Sequence, residues 1–290
     1  NVHKVLDQIK AFSSLVREGA AKGYTGKALT STIVIGIGGS YLGPEFVFEA
    51  LRHDAKCKEA CKGRKLKFLA NVDPIDFQRA IQDFDIEETL VVIVSKTFTT
   101  AETMLNAKTL KNHIVEYYRQ KFPNEQDAAK FVEPHLCAVS TNLPDTAKFG
   151  ISDEKVFGFW DWVGGRYSVS SAVGVLPLSL FYGYDLVREF LDGIHNIDVH
   201  FQNTREVSKN IPLLLGLVGF YNTYVAGHSN RAILPYCQAL MRFSAHVQQL
   251  DMESNGKGVT RDGHRFDHGV EIGPIIFGEP GTNGQHSFYQ

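Results

Sequence analysis

The sequence predicts an α/β fold, a parallel-sheet αβα sandwich with helices on both faces of the sheet. Three observations predict it. Short strand-like runs at 32–37, 66–70 and 89–94 recur with helix-patterned stretches between them. That alternation marks parallel strands, because each return to the same edge of the sheet needs a crossover. The runs at 32–37 and 89–94 are mainly β-branched and apolar, as in strands buried in a parallel sheet. Two of them end in glycines or in a hydroxyl cluster, the residue types that bind ligands beyond the carboxyl ends of such strands.

The elements follow in order. Residues 1–22 carry Val2, Val5, Leu6, Ile9 and Phe12 at three- and four-residue steps, which predicts a helix. Strand 32–37 follows, and Pro44 opens a helix running to 51, a proline being tolerated in a first turn. Strand 66–70 is closed by Asn71-Val72-Asp73-Pro74, and 75–84 reads helical. Strand 89–94 is the clearest of all, followed by a long helix over 101–120 and strands at 136–139 and 155–159. After a Ser- and Gly-rich segment, 164–183, the pattern changes. Residues 186–228 and 231–250 are mostly helical and apolar, with a short strand expected at 233–236. A domain boundary near Tyr182-Gly183 divides the chain into 1–183 and 184–290.

Composition excludes several function classes. Hydrophobic residues make up 43% and charged residues 21%, an ordinary globular balance. With a net charge of -2, no global field draws the chain to nucleic acid or to an anionic membrane. Any anionic ligand must be held by local devices. The cysteines Cys57, Cys61, Cys137 and Cys237 are too sparse for a disulfide framework, and no second ligand pair stands at zinc spacing. The most apolar run, 211–221, is too short to span a bilayer and contains Pro212. These features are expected of a soluble protein of a reducing, intracellular compartment. The chain begins without Met inside an amphipathic pattern and stops in an apolar segment, so it reads as an excerpt of something longer.

Two strand ends carry phosphate-cradle candidates. Gly36-Ile37-Gly38-Gly39-Ser40-Tyr41-Leu42-Gly43-Pro44 follows the first strand; its glycines let backbone N–H groups approach an anion, and Ser40 adds a hydroxyl at a helix start. Tyr41 stands where a dinucleotide fingerprint needs glycine, and Pro44 stands where a P-loop needs lysine. Ser95-Lys96-Thr97-Phe98-Thr99-Thr100 follows the third strand, with more hydroxyls than a helix cap alone requires. Further on, Asp251-Met252-Glu253-Ser254-Asn255-Gly256-Lys257 places Glu253 in a polar segment after a helical stretch. His286 follows a Pro-Gly turn in Gly281-Thr282-Asn283-Gly284-Gln285-His286. A carboxylate and an imidazole presented from loop mouths suit proton shuttling on a small polar substrate, with the carboxylate expected to be partly buried. His264 and His268, with Asp262 and Asp267, read as a solvated charged loop and not as a metal site.

Together with Asp161-Trp162-Val163-Gly164-Gly165-Arg166-Tyr167-Ser168, these motifs stand in the order found in the phosphoglucose isomerase family, which the chain resembles along its whole length. The resemblance implies two sugar-isomerase α/β sandwiches, with 1–183 as the first and 184–290 as the beginning of the second. It implies interconversion of glucose 6-phosphate and fructose 6-phosphate through an enediolate, with no metal or other cofactor. Ser40, Ser95, Lys96, Thr97 and Thr100 would contact phosphate, with Gly39 and Gly165 lending backbone. Arg166 would face the enediolate, Glu253 would be the base, Gln249 would touch substrate, and His286 would help open the sugar ring. The partners implied are a sugar phosphate and a second copy of the full-length protein, whose histidine would complete the site; nucleic acid and membrane are not among them. Members of the family run to nearly twice this length.

Overall fold

The computed structural model describes residues 1–267, 269 and 272–289. The chain divides into two compact units, Asn1–Val187 and Arg188–Gln290, so the division falls within a helix that starts just after Gly183.

The first unit runs α1 (Val2–Arg17), β1 (Ser31–Ile35), α2 (Leu42–Leu51), α3 (Ala55–Ala60), β2 (Lys65–Leu69), α4 (Pro74–Ile81), β3 (Thr89–Val94), α5 (Ala101–Lys121), α6 (Ala128–Val132), β4 (Leu136–Val139), α7 (Leu143–Phe149), β5 (Val156–Phe157) and α8 (Ala172–Tyr182). The five strands form one all-parallel sheet in the order β2-β1-β3-β4-β5. Register is set by pairs such as Ile35 with Ile93 and Val94 with Val139. Every residue of β1, β3 and β4 is buried, which is why these strands read as continuous apolar runs.

Residues of β1 and β3 alternate between two helical layers. Ile33, Ile35, Val91 and Ile93 join Ala107, Leu110, Ile114 and Tyr118 of α5 in one core. On the sheet's other side, α8 packs against α1, α2 and β1. All of α8 is buried, from Ala172 to Tyr182. Its C-terminal carbonyls are capped by the Arg17 guanidinium, which donates to Leu180 O at 3.3 Å and to Phe181 O, and also to Ala60 O at 2.8 Å. The Ser- and Gly-rich segment 164–183, which the sequence pattern assigns to no element, is therefore partly a core helix. Buried on every side, it has no polar face to give it a helical period.

At the amino ends of the strands, two buried polar groups tie the loops together. His135 Nδ1–H donates to Thr89 O at 2.7 Å, while Nε2 accepts from the Tyr24 N–H at 3.2 Å and lies 2.9 Å from the Tyr118 hydroxyl. A backbone N–H can only donate, so the ring is held neutral with Nε2 as acceptor. Burial pushes its pKa down. Beside it, Glu87 is buried and bonded to Lys121, to Tyr117 Oη at 2.7 Å and to Thr25 Oγ1 at 2.9 Å, with Lys27 Nζ at 3.3 Å. The Lys121 and Tyr117 hydrogen bonds hold its carboxyl down to about 2.

The second unit contains most of α9 (Tyr184–Asn203), then α10 (Ile211–Phe220), β6 (Asn230–Ala232), α11 (Phe243–Asn255) and β7 (Ile275–Phe277). β6 and β7 pair in parallel, and α11 packs on β7. The helix expected over 186–228 is interrupted. Asn210 begins a new one by accepting from Leu213 N at 3.1 Å, with Pro212 in its first turn. The short strand forms just ahead of 233–236, where Pro235 has no N–H to donate. Residues 261–267 are exposed, and His268 lies outside the described residues. Among the described residues, no cluster of His, Cys, Asp or Glu could hold a metal ion, and no helix is long and apolar enough to cross a membrane.

Candidate active site

In the first unit, β1 and β3 are neighbours although β2 intervenes in sequence. The chain leaves β1 toward one edge and returns to build toward the other, so a crevice opens between the carboxyl ends of β1 and β3. This is the topological switch point at which open parallel sheets bind ligands. The two phosphate-cradle candidates are the loops that follow these two strands.

After β1 the chain turns through a short 3₁₀ segment, Gly38–Ser40, before α2 begins at Leu42. Gly38 has φ +58°, a conformation that glycine adopts without strain. Gly39 is buried against the backbone of Gly165 and Arg166. Ser40 is half-buried, its N–H closing the turn on Ile37 O at 3.2 Å.

After β3, Ser95 is buried and its hydroxyl donates to Thr100 Oγ1 at 3.3 Å. Thr100 occupies the N-cap position of α5, yet its side chain caps no helical N–H. The cluster is thus more than a cap, and among the described residues no hydrogen bond takes up the Ala101, Glu102 or Thr103 N–H at the start of the 21-residue helix α5. Thr97 and Thr99 hydroxyls are exposed and 2.7 Å apart. Phe98 has φ +57°, a strained backbone for a bulky residue, and its ring is buried against Phe149.

Lys96 stands at the centre of three loops. Its ammonium donates to Asp161 O and, at 3.2 Å, to Val163 O. The expected phosphate ligand therefore spends two of its three N–H bonds on the segment leading into Gly165–Ser170, a 3₁₀ stretch that carries Arg166. Ser168, fully buried, donates to Gly165 O at 2.6 Å and to Gly39 O at 3.3 Å. The Arg166 guanidinium lies 5.4 Å from the ring centre of Tyr167. A cleft of about 310 Å³ opens beside this turn, lined by Trp160, Trp162, Val163, Gly164 and Tyr167. A larger one, about 550 Å³, runs beside β2 at the sheet edge and shares only Tyr41 with the motif loops. The concentration of donors, not the size of a cavity, marks the site.

The structure thus brings together Gly39, Ser40, Ser95, Lys96, Thr97, Thr100, Gly165 and Arg166 on adjoining loops of one unit. Sequence reasoning missed the polar triplet Ser140-Thr141-Asn142, which follows β4 and backs the Ser95–Thr100 stretch with hydrogen bonds. The signal was present: like the third strand, the fourth ends in hydroxyl and amide residues.

The second unit holds the other candidates. Glu253 is not in a loop, because α11 continues to Asn255 and stops at Gly256. Gln249 Nε2 donates to Glu253 Oε2 at 2.9 Å, one helical turn apart. Glu253 is exposed, contrary to the expected partial burial. Ser244 is the buried residue of α11. At about 100° per residue, Glu253 projects from the opposite side of the helix. Gln249 is half-buried, with an Oε1 that has no hydrogen bond among the described residues. His286 is exposed at the end of the 3₁₀ turn Asn283–His286.

A parallel αβα sandwich with hydroxyls, free helix N–H groups and a guanidinium collected at its switch point is the class of protein that fold and site define. All of residues 1–290 match the family model for phosphoglucose isomerase, and the chain belongs to that family. It is 58% identical over 286 residues to the cytosolic B glucose-6-phosphate isomerase of Oryza sativa subsp. japonica, covering 99% of this chain and 48% of that protein. Over 289 residues it is 57% identical to the cytosolic glucose-6-phosphate isomerase of Zea mays, covering 100% of this chain and 49% of that one. The crystal structure of a glucose-6-phosphate isomerase from Chlamydia trachomatis superposes with a TM-score of 0.78 at 33% identity, covering 99% of this chain and 50% of that chain. The chain spans about half the length of the curated relatives it matches.

Proposed function

We propose that the chain is the phosphate-gripping and proton-transferring part of an enzyme that interconverts glucose 6-phosphate and fructose 6-phosphate. The observation that carries this reading is the meeting of the Gly38–Ser40 turn, the loop after β3 and the Arg166 turn at the β1/β3 switch point. On this reading residues 1–183 are a first sugar-isomerase domain and 184–290 the start of a second.

Phosphate is the part of the substrate that does not react. Ser40, Ser95, Thr97, Thr100, the remaining Lys96 N–H, the backbone at Gly39 and Gly165 and the start of α5 grip it, and that binding energy positions the reacting carbons. Aldose–ketose interconversion removes a proton from one carbon and returns it to the neighbour. Glu253 carries that proton, and Gln249, bonded to it, contacts the substrate and orients the carboxylate. Negative charge develops on the enediolate oxygens, where Arg166 supplies a permanent cation with planar, paired donors. His286 exchanges the ring-opening proton near neutral pH. The working form is a homodimer in the cytosol, with His286 acting across the dimer.

The test is an NADP-coupled assay of fructose 6-phosphate conversion, run on this chain and on the chain extended to the length of its relatives. Turnover by the extended protein sustains the reading. Sugar-phosphate binding without turnover in either form replaces it with a non-catalytic binding module.

A further inference from the structure

The loop after β4 makes no part of the proposed ligand cradle, yet its donors converge on the backbone of the loop that does. The Lys96 carbonyl accepts from Thr141 Oγ1 at 2.7 Å, from Thr141 N–H at 3.0 Å and from Ser140 Oγ at 3.2 Å. The Thr97 carbonyl accepts from Asn142 Nδ2 at 2.8 Å. Asn142 is itself fixed as the cap of α7, its Oδ1 accepting from Asp145 N at 3.1 Å. Two consecutive peptide groups are therefore clamped from one side, directly ahead of the strained Phe98.

A trans peptide sets its C=O and N–H in opposite directions. Clamping the Lys96 carbonyl toward β4 turns the Thr97 N–H away from it, and among the described residues no hydrogen bond takes up that N–H. The next N–H, of Phe98, closes the turn on Ser95 O at 3.3 Å. We propose that Ser140, Thr141 and Asn142 are positioning residues that hold the Thr97 N–H as an outward-facing donor for the phosphate group, without touching the ligand themselves. The inference rests on the reading of the Ser95–Thr100 stretch as a phosphate cradle. It goes beyond that reading by assigning a backbone donor and the side chains that aim it.

The experiment titrates inorganic phosphate into this chain by calorimetry and measures KM and kcat for fructose 6-phosphate in the extended protein. Thr141→Val removes the shortest bond to the Lys96 carbonyl, Thr141→Ser keeps it, and Ser140→Ala removes a second donor should the valine variant fail to fold. Loss of one such bond weakens phosphate binding and raises KM about five- to tenfold. The expected kcat stays within about twofold, and Thr141→Ser restores the parental values, a split that general loosening of the fold would not give. Unchanged phosphate affinity in folded Thr141→Val or Ser140→Ala overturns the inference, as does a serine variant as weak as the valine one, or a parental chain that binds no phosphate. If phosphate binding shows the expected dependence but the extended protein has no turnover, the positioning role stands and the isomerase reading falls.

Discussion

A methyl group added to Gly39 would lie 2.1 Å from both the carbonyl carbon and the carbonyl oxygen of Gly165, and 2.7 Å from the Arg166 nitrogen. Neither neighbour is a flexible side-chain end, so the backbone carrying Arg166 would have to move. Gly39→Ala is expected to lower the stability of the first unit by about 1–3 kcal/mol, as overpacking does. It should also cost the extended protein most of its turnover. Denaturant unfolding and the coupled assay check this, and a variant with parental stability and turnover would show that the two turns yield freely.

Arg166 is assigned a charge-stabilising role that lysine cannot copy, since an ammonium lacks the planar fork. Arg166→Lys in the extended protein is expected to reduce kcat about 100-fold or more while KM changes little, the mark of a contact made in the transition state. Steady-state kinetics with fructose 6-phosphate decide it. A rise in KM at unchanged kcat would move Arg166 to substrate binding.

Glu253 is exposed and bonded within its own helix, so Glu253→Gln should leave the stability of this chain within about 0.5 kcal/mol. In the extended protein the same change removes the proposed proton carrier, and kcat should fall at least 100-fold. Thermal unfolding and turnover are the two readouts. Substantial activity in the glutamine variant would mean that another group moves the proton.

Acid stability should decline in two stages. Folded His135 is held neutral below its ordinary value of 6.5, so the unfolded chain binds a proton that the folded one does not. Stability therefore falls as pH drops below about 6.5. Glu87 is held down at about 2 against an ordinary 4.5, so its contribution is complete above about 4.5 and is lost as pH falls toward 2. Unfolding midpoints measured from pH 8 to 3 should slope downward through both windows. Glu87→Gln should lower the midpoint at neutral pH and flatten the stage below 4.5; an unaltered slope there would contradict the assignment.

What was legible in the sequence was what depends on local pattern. The strands expected at 89–94 and 136–139 are found as Thr89–Val94 and Leu136–Val139, because each is an apolar run bounded by polar residues. The switch-point loops were legible for the same reason, glycines and hydroxyls being unusual at strand ends. Helix α8 was not, since burial on all sides removes the periodicity that announces a helix. Nor was the division of labour of Lys96, whose partners Asp161 and Val163 are far away in sequence and offer only backbone oxygens. A side chain bonded to distant carbonyls leaves no mark in composition or spacing. The end of α11 is hidden in the sequence because Glu253 and its polar neighbours look like a loop, although the first helix-breaking residue is Gly256.

The most direct measurement is a crystal structure of this chain with fructose 6-phosphate. The expected result is phosphate density at the β1/β3 switch point, within hydrogen-bond distance of Ser40, Ser95, Thr100 and the Thr97 N–H. Phosphate bound elsewhere, with those groups contacting only water, would contradict the account.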